Sequence, residues 1–158
     1  STLLLTTRRI PQLYYGTEIM MNGVKNKSDG YVRKDFPGGW ADDQETALTA
    51  KGRSAIQNDC YNFYKTILNW RKGNDVIAKG SMTQFMVQNG VYAYARQHEG
   101  KTVFVMLNGP NAETVVPLKF YKEILKEKQQ GKDILTGKAI IFGKELKMQP
   151  RESLVIEL

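Results

Sequence analysis

Apolar positions recur along this chain in three rhythms, and each rhythm predicts a different kind of element. Near the N-terminus, Pro11 fixes its own φ and steers Ile10 toward extended geometry. Leu13-Tyr14-Tyr15 is then a continuous apolar run, and Gly16 permits a close backbone approach ahead of Glu18 and Ile19. A short unbroken run of this kind predicts a strand over 9–19, buried on both faces in a parallel sheet. Upstream, Leu3-Leu4-Leu5 reads as the tail of a helix and is far too short to span a bilayer.

The rhythm is then lost over 20–47, where Asn22-Gly23, Asp29-Gly30 and Pro37-Gly38-Gly39 are turn signals. Loops this long are uncommon unless they are functional. A helical period follows. Ile56, Cys60, Phe63, Ile67 and Trp70 recur at three- and four-residue spacings, with Thr49 as a candidate N-cap and Lys72-Gly73-Asn74 as the stop. One amphipathic helix is expected, packing its apolar stripe on a core.

From about Val76 the period shortens to two. Segments 82–88 and 91–97 flank Asn89-Gly90, a strong hairpin signal, and Glu99-Gly100 separates 91–97 from a third strand over 101–108. Further strands are expected at 114–118, 132–135, 139–142, 145–148 and 153–158, with one short helix over 120–128. Short strands at such regular spacing predict an antiparallel β-sandwich. The chain therefore reads as a mainly β protein in two parts, 1–75 and 76–158.

Composition narrows the function classes. The 41% apolar content suffices for a buried core. The net charge of +7 arises from bases spread between Arg8 and Arg151 and interleaved with acids, so no clustered nucleic-acid footprint is expected. No membrane partner is expected either. Cys60, the one cysteine, reads as a small core residue. His98 stands alone in a hairpin turn, and without a partner it is a poor base or ligand; neither a metal nor a cofactor is expected.

The segment Arg9-Ile10-Pro11-Gln12-Leu13-Tyr14-Tyr15-Gly16-Thr17-Glu18 resembles the eighth strand of the (β/α)8 barrel of the α-amylase family, with Arg9 in place of the usual glycine. Asp29-Gly30-Tyr31-Val32-Arg33-Lys34-Asp35-Phe36-Pro37-Gly38-Gly39-Trp40 is similar to the loop that follows in bacterial neopullulanases and cyclomaltodextrinases. Asn69-Trp70-Arg71-Lys72-Gly73-Asn74 and the closing Pro150-Arg151-Glu152-Ser153-Leu154-Val155-Ile156 resemble the same group. The resemblance implies the last strand, long loop and helix of a (β/α)8 barrel, followed by a Greek-key β-sandwich known as domain C.

It also implies a function. The parent would be a retaining glycoside hydrolase acting on α-glucans such as starch oligosaccharides, cyclodextrins or pullulan, exported to the periplasm or the cell exterior of a bacterium. Retaining hydrolysis needs two carboxyl groups about 5–5.5 Å apart. In the family these follow the fourth and fifth barrel strands, upstream of Ser1, so the chain alone is expected to be inactive. Its partners would be the glucan, the remaining barrel and, in an oligomer, further copies. Asp29 and Arg33 match an Asp-x-x-x-Arg element that holds sugar hydroxyls; the alternative is a loop-stabilising ion pair. Trp40, with Phe36 and Tyr31, offers a stacking face for a pyranose ring, or else anchors the loop. Glu18 supports the site or is merely solvated. The competing reading of the whole chain is a non-catalytic carbohydrate-binding or interface module.

Overall fold

The period-two half of the chain folds into eight antiparallel strands in a computed structural model that describes residues 1–158. They are β1 (Ser81–Gln84), β2 (Val91–His98), β3 (Lys101–Asn108), β4 (Thr114–Pro117), β5 (Gln130–Asp133), β6 (Ala139–Ile141), β7 (Glu145–Met148) and β8 (Ser153–Glu157). Six form one sheet in the order β1-β2-β3-β8-β5-β6, and β4 pairs with β7 in a second. The final strand returns between β3 and β5, the long connection of a Greek key. Both expected hairpins form with positive φ at both turn residues, 52° and 80° at Asn89-Gly90 and 47° and 76° at Glu99-Gly100. Such primed turns match the twist of the strands they join.

Alternation sorts the β2, β3 and β8 side chains onto two faces. Ala95, Phe104 and Ile156 are register partners on one face, as are Ala93, Met106 and Leu154. They pack with Val116, Tyr121 and Met148 in the sandwich core. Each large apolar side chain fully buried there contributes about 1.5–3 kcal/mol. Phe85, Phe104 and Tyr121 meet with ring centroids 5.1–6.3 Å apart. Tyr94, Arg96, Val103, Val105 and Val155 occupy the other face and are also buried.

Helices close that second face: α1 (Thr2–Thr6) and α4 (Asp75–Lys79), which bury Leu5, Thr6, Val76 and Ile77. Arg96 lies fully buried with its guanidinium donating to three backbone carbonyls, Thr6 O at 3.0 Å, Gly80 O at 2.8 Å and Ser81 O at 3.2 Å. The Tyr94 hydroxyl bonds Thr6 Oγ1. Arg71 donates to the carbonyls of Leu5 and Arg9. A basic pair thus satisfies the open carbonyl end of α1.

Two compact units are present, Ser1–Pro11 with Thr66–Leu158, and Gln12–Lys65. Besides one helical turn, α2 (Asp29–Val32), the second unit holds most of α3 (Ala55–Arg71), inside which the division falls. The short helix expected over 120–128 forms as a 3-10 turn, Leu118–Tyr121, running into α5 (Lys122–Leu125). No helix is long and apolar enough to cross a membrane.

Several expected elements are corrected. Segment 9–19 is not a strand: it is irregular chain that turns at Gly16 into a 3-10 turn, Thr17–Ile19. A strand needs ladder partners for its N–H and C=O groups, and no strand of this chain pairs with it. The main helix starts at Ala55, not Thr49, because Ser54 and Gln57 form a reciprocal capping box, with bonds of 3.3 and 2.9 Å. Its apolar stripe is incompletely covered, with Ile67 buried but Ile56 62% exposed. The alternating zone opens with α4, whose N-cap Asn74 accepts from Ile77 N at 3.3 Å. β1 ends at Gln84, leaving an isolated bridge between Gln88 and Val91.

β5 lies two residues earlier than expected because Asp133 stops it. That buried carboxylate accepts from Val155 N at 3.1 Å, Leu135 N at 3.4 Å, Thr136 N at 3.0 Å and Thr136 Oγ1 at 2.6 Å. It folds the following apolar pair, Ile134-Leu135, into a turn that ends on Gly137 at φ 73°.

Candidate functional site

The residues with candidate chemistry lie in the Gln12–Lys65 unit, on the loop between the 3-10 turn and α3. Asp29 opens α2, where an acidic side chain suits the N-terminal end of the turn. Arg33 closes it, its N–H donating to Asp29 O at 2.9 Å. One helical turn therefore brings the two side chains onto the same face, and Arg33 Nη2 approaches Asp29 Oδ2 to 3.6 Å. Both are largely exposed, so the pair adds little to stability.

The next excursion is pinned at its base by Ala47 N donating to Pro37 O at 2.9 Å. Gly38 and Gly39 take φ of 93° and 122°, and a Cβ on Gly38 would sit 2.2 Å from Thr46 Oγ1. Only glycine fits that close approach. Phe36 is half-buried at the base, whereas Trp40 stands 71% exposed, its N–H donating to Asp43 Oδ2 at 3.0 Å.

The N-terminal end of the loop is tied by tyrosines. Tyr15 donates its hydroxyl to Lys34 O at 2.9 Å, and the Tyr14 and Tyr15 rings lie 4.5 Å apart. Its hydrogen bond with the Tyr14 side chain pushes the Tyr15 phenol up, aided by desolvation. The apolar run around Tyr15 predicts a strand there; its role as a loop tie has no local signal in the sequence. Lys27 lies over the Tyr31 ring at 4.9 Å. A cavity of about 410 Å³ opens among Asn22, Val24, Ser28, Tyr31 and Lys34.

The structure thus brings Asp29 and Arg33 together and gives Trp40 a separate turn. Glu18 lies half-buried in the 3-10 turn, near Cys60. The Cys60 thiol donates to Thr17 O at 3.6 Å and is pushed up first by burial and then by the Glu18 charge, which makes it a weak nucleophile. An exposed carboxylate accepts from hydroxyls and a neighbouring guanidinium donates to them.

Residues 82–157 match the Cyclo-malto-dextrinase C-terminal domain family. A cyclomaltodextrinase of Thermoanaerobacter pseudethanolicus is 26% identical over 149 residues, covering 94% of this chain and 22% of that protein. A cyclomaltodextrin glucanotransferase of Thermoanaerobacterium thermosulfurigenes is 33% identical over 104 residues, covering 66% of this chain and 12% of its own length. In the crystal structure of the Geobacillus thermoleovorans α-amylase complexed with acarbose, the matching region has a TM-score of 0.71 at 21% identity, over 99% of this chain and 31% of that one. The chain therefore spans less than a third of the length of each protein it matches here.

Proposed function

We propose that the chain, whose residues 82–157 match the cyclomaltodextrinase C-terminal domain, belongs with the α-amylase-family enzymes and is the C-terminal part of a retaining glycoside hydrolase acting on α-glucans. The observation that carries this reading is the extent of the match. Nearly the whole chain, loop and β-domain together, aligns with about a fifth of a cyclomaltodextrinase.

The chain's own surface supports the same reading. Ile10 is 95% exposed, and Leu48, Ile56 and Met20 are more than half exposed. Preceding barrel units of the same protein are the cover proposed for them. The catalytic acid and nucleophile belong to those units. In this reading Asp29 and Arg33 hold sugar hydroxyls, and Trp40 stacks on a pyranose ring.

The test is Arg33→Ala in the longer protein, with kinetics on a maltooligosaccharide. Losing a charge-assisted hydrogen bond to the sugar should lower kcat/KM by about ten- to a hundred-fold, chiefly through KM if the contact is made in ground and transition states alike. Unchanged kinetics would remove Arg33 from the site. Hydrolysis by the 158-residue chain alone, abolished by Glu18→Gln, would overturn the division of labour.

A further inference from the structure

An open groove of about 720 Å³ lies on the Ser1–Pro11 and Thr66–Leu158 unit, far along the sequence from the loop described above. It is lined by the last turn of α3, the start of α4, the β2–β3 hairpin and the end of β8. On one side the half-buried Trp70 donates its indole N–H to Glu157 Oε1 at 2.7 Å. That bond joins residues 87 apart in sequence and fixes the orientation of the largest apolar side chain in the lining.

Both signs of charge line the groove. Lys72 and Lys101 face it along with Asp75, Glu99 and Glu157. Asp75 is held by Lys79 at 3.1 Å, and Glu99 lies 3.8 Å from His98 Nε2. Such a mixture selects neither an anion nor a cation. It presents donors and acceptors side by side next to an indole, which suits a neutral chain whose every unit carries hydroxyls on an apolar ring. The volume falls in the range of small-ligand sites, about 300–1,000 Å³.

We propose that this groove binds an oligosaccharide, with the Trp70 ring as stacking face and Glu157 and Lys101 as hydroxyl partners. That the sugar is α-linked glucose rests on the function proposed above; that the groove takes a neutral sugar does not.

The experiment is a titration of the full 158-residue chain with maltoheptaose, followed by 1H–15N NMR. Saturable shifts are expected at the Trp70 indole and at backbone amides of 69–75, 98–102 and 157. Trp70→Ala should weaken binding by about ten-fold or more, and Trp70→Phe, which keeps a ring face, by less. Unfolding midpoints of both variants check that the fold is retained, and the Phe variant carries the comparison if the Ala variant is unstable. No shift in the groove at millimolar maltoheptaose or cellohexaose overturns the site. Cellohexaose binding there without maltoheptaose binding overturns the α-glucan assignment and leaves the sugar site standing. Neither result bears on the loop, whose own test is the Arg33 kinetics of the longer protein.

Discussion

Residues 81–158 and residues 12–48 obey the same local rules of sequence, yet the central strands of the first are buried on both faces while most aromatic rings of the second stay exposed. In the β-domain both faces of β2, β3 and β8 are covered, and even the Arg96 guanidinium and Asp133 carboxylate are buried with hydrogen-bond partners from the chain itself. In the loop region Tyr14, Tyr15, Tyr31 and Trp40 all remain at least 44% exposed. The difference teaches that self-sufficiency is a property of the contact set. A strand pattern becomes a strand where a neighbour completes the ladder, and the pattern at 9–19 has none.

The sharpest way to break this comparison is at Asp133. Replacing it with Ala removes the acceptor of four hydrogen bonds and releases both the turn after β5 and its tie to β8. The β-domain should lose on the order of 3–4 kcal/mol, read as a lowered denaturant midpoint. A loss below about 1 kcal/mol would mean that the buried network is not what holds this end of the sheet.

A second, smaller effect is set by pH. Burial pushes Tyr94 up to about 12; Tyr92 adds to the shift, while the Thr6 hydrogen bond and Arg96 oppose it. An unfolded tyrosine titrates at about 10. Below that pH both states keep the phenol neutral and the full stability is present. As pH rises from about 10 toward 12, only the unfolded state gives up its proton, so stability falls with pH. The shift corresponds to roughly 2–3 kcal/mol across that window. Tyr94→Phe should flatten the alkaline fall in midpoint relative to wild type. Parallel pH profiles for the two proteins would show that Tyr94 ionises in the folded state as easily as in the unfolded one.

How much of this was legible follows the same division. Asn89-Gly90 and Glu99-Gly100 sit between period-two runs, so hairpin position and register were set by local chemistry alone. β5 was misplaced because Ile134-Leu135 continues the apolar run, whereas the deciding event is a side-chain acceptor at Asp133. Two helix starts are carried by local signals in the chain, the Ser54-x-x-Gln57 box and Asn74 before Asp75. In the candidate site, the four-residue spacing of Asp29 and Arg33 was enough to bring them together, because one helical turn does so without help from the rest of the fold. The Trp70–Glu157 contact was not readable, since it depends on how α3 and β8 pack within one unit.

The smallest expected effect decides between the two readings of Trp40. A buried tryptophan cut to Ala costs about 3–5 kcal/mol, so an anchor that held the loop would show a large change. Trp40 is 71% exposed, and its hydrogen bonds, N–H to Asp43 Oδ2 and C=O from Asp43 N, are made by the backbone, which alanine also has. Trp40→Ala in this chain should therefore move the unfolding midpoint by no more than about 0.5 kcal/mol, as for other surface positions. A loss of several kcal/mol would make Trp40 an anchor and withdraw it from the sugar-stacking role. If stability is unchanged here while the same substitution raises KM in the longer protein, its exposed ring is there for a ligand and the contrast between the two regions is one of purpose as well as burial.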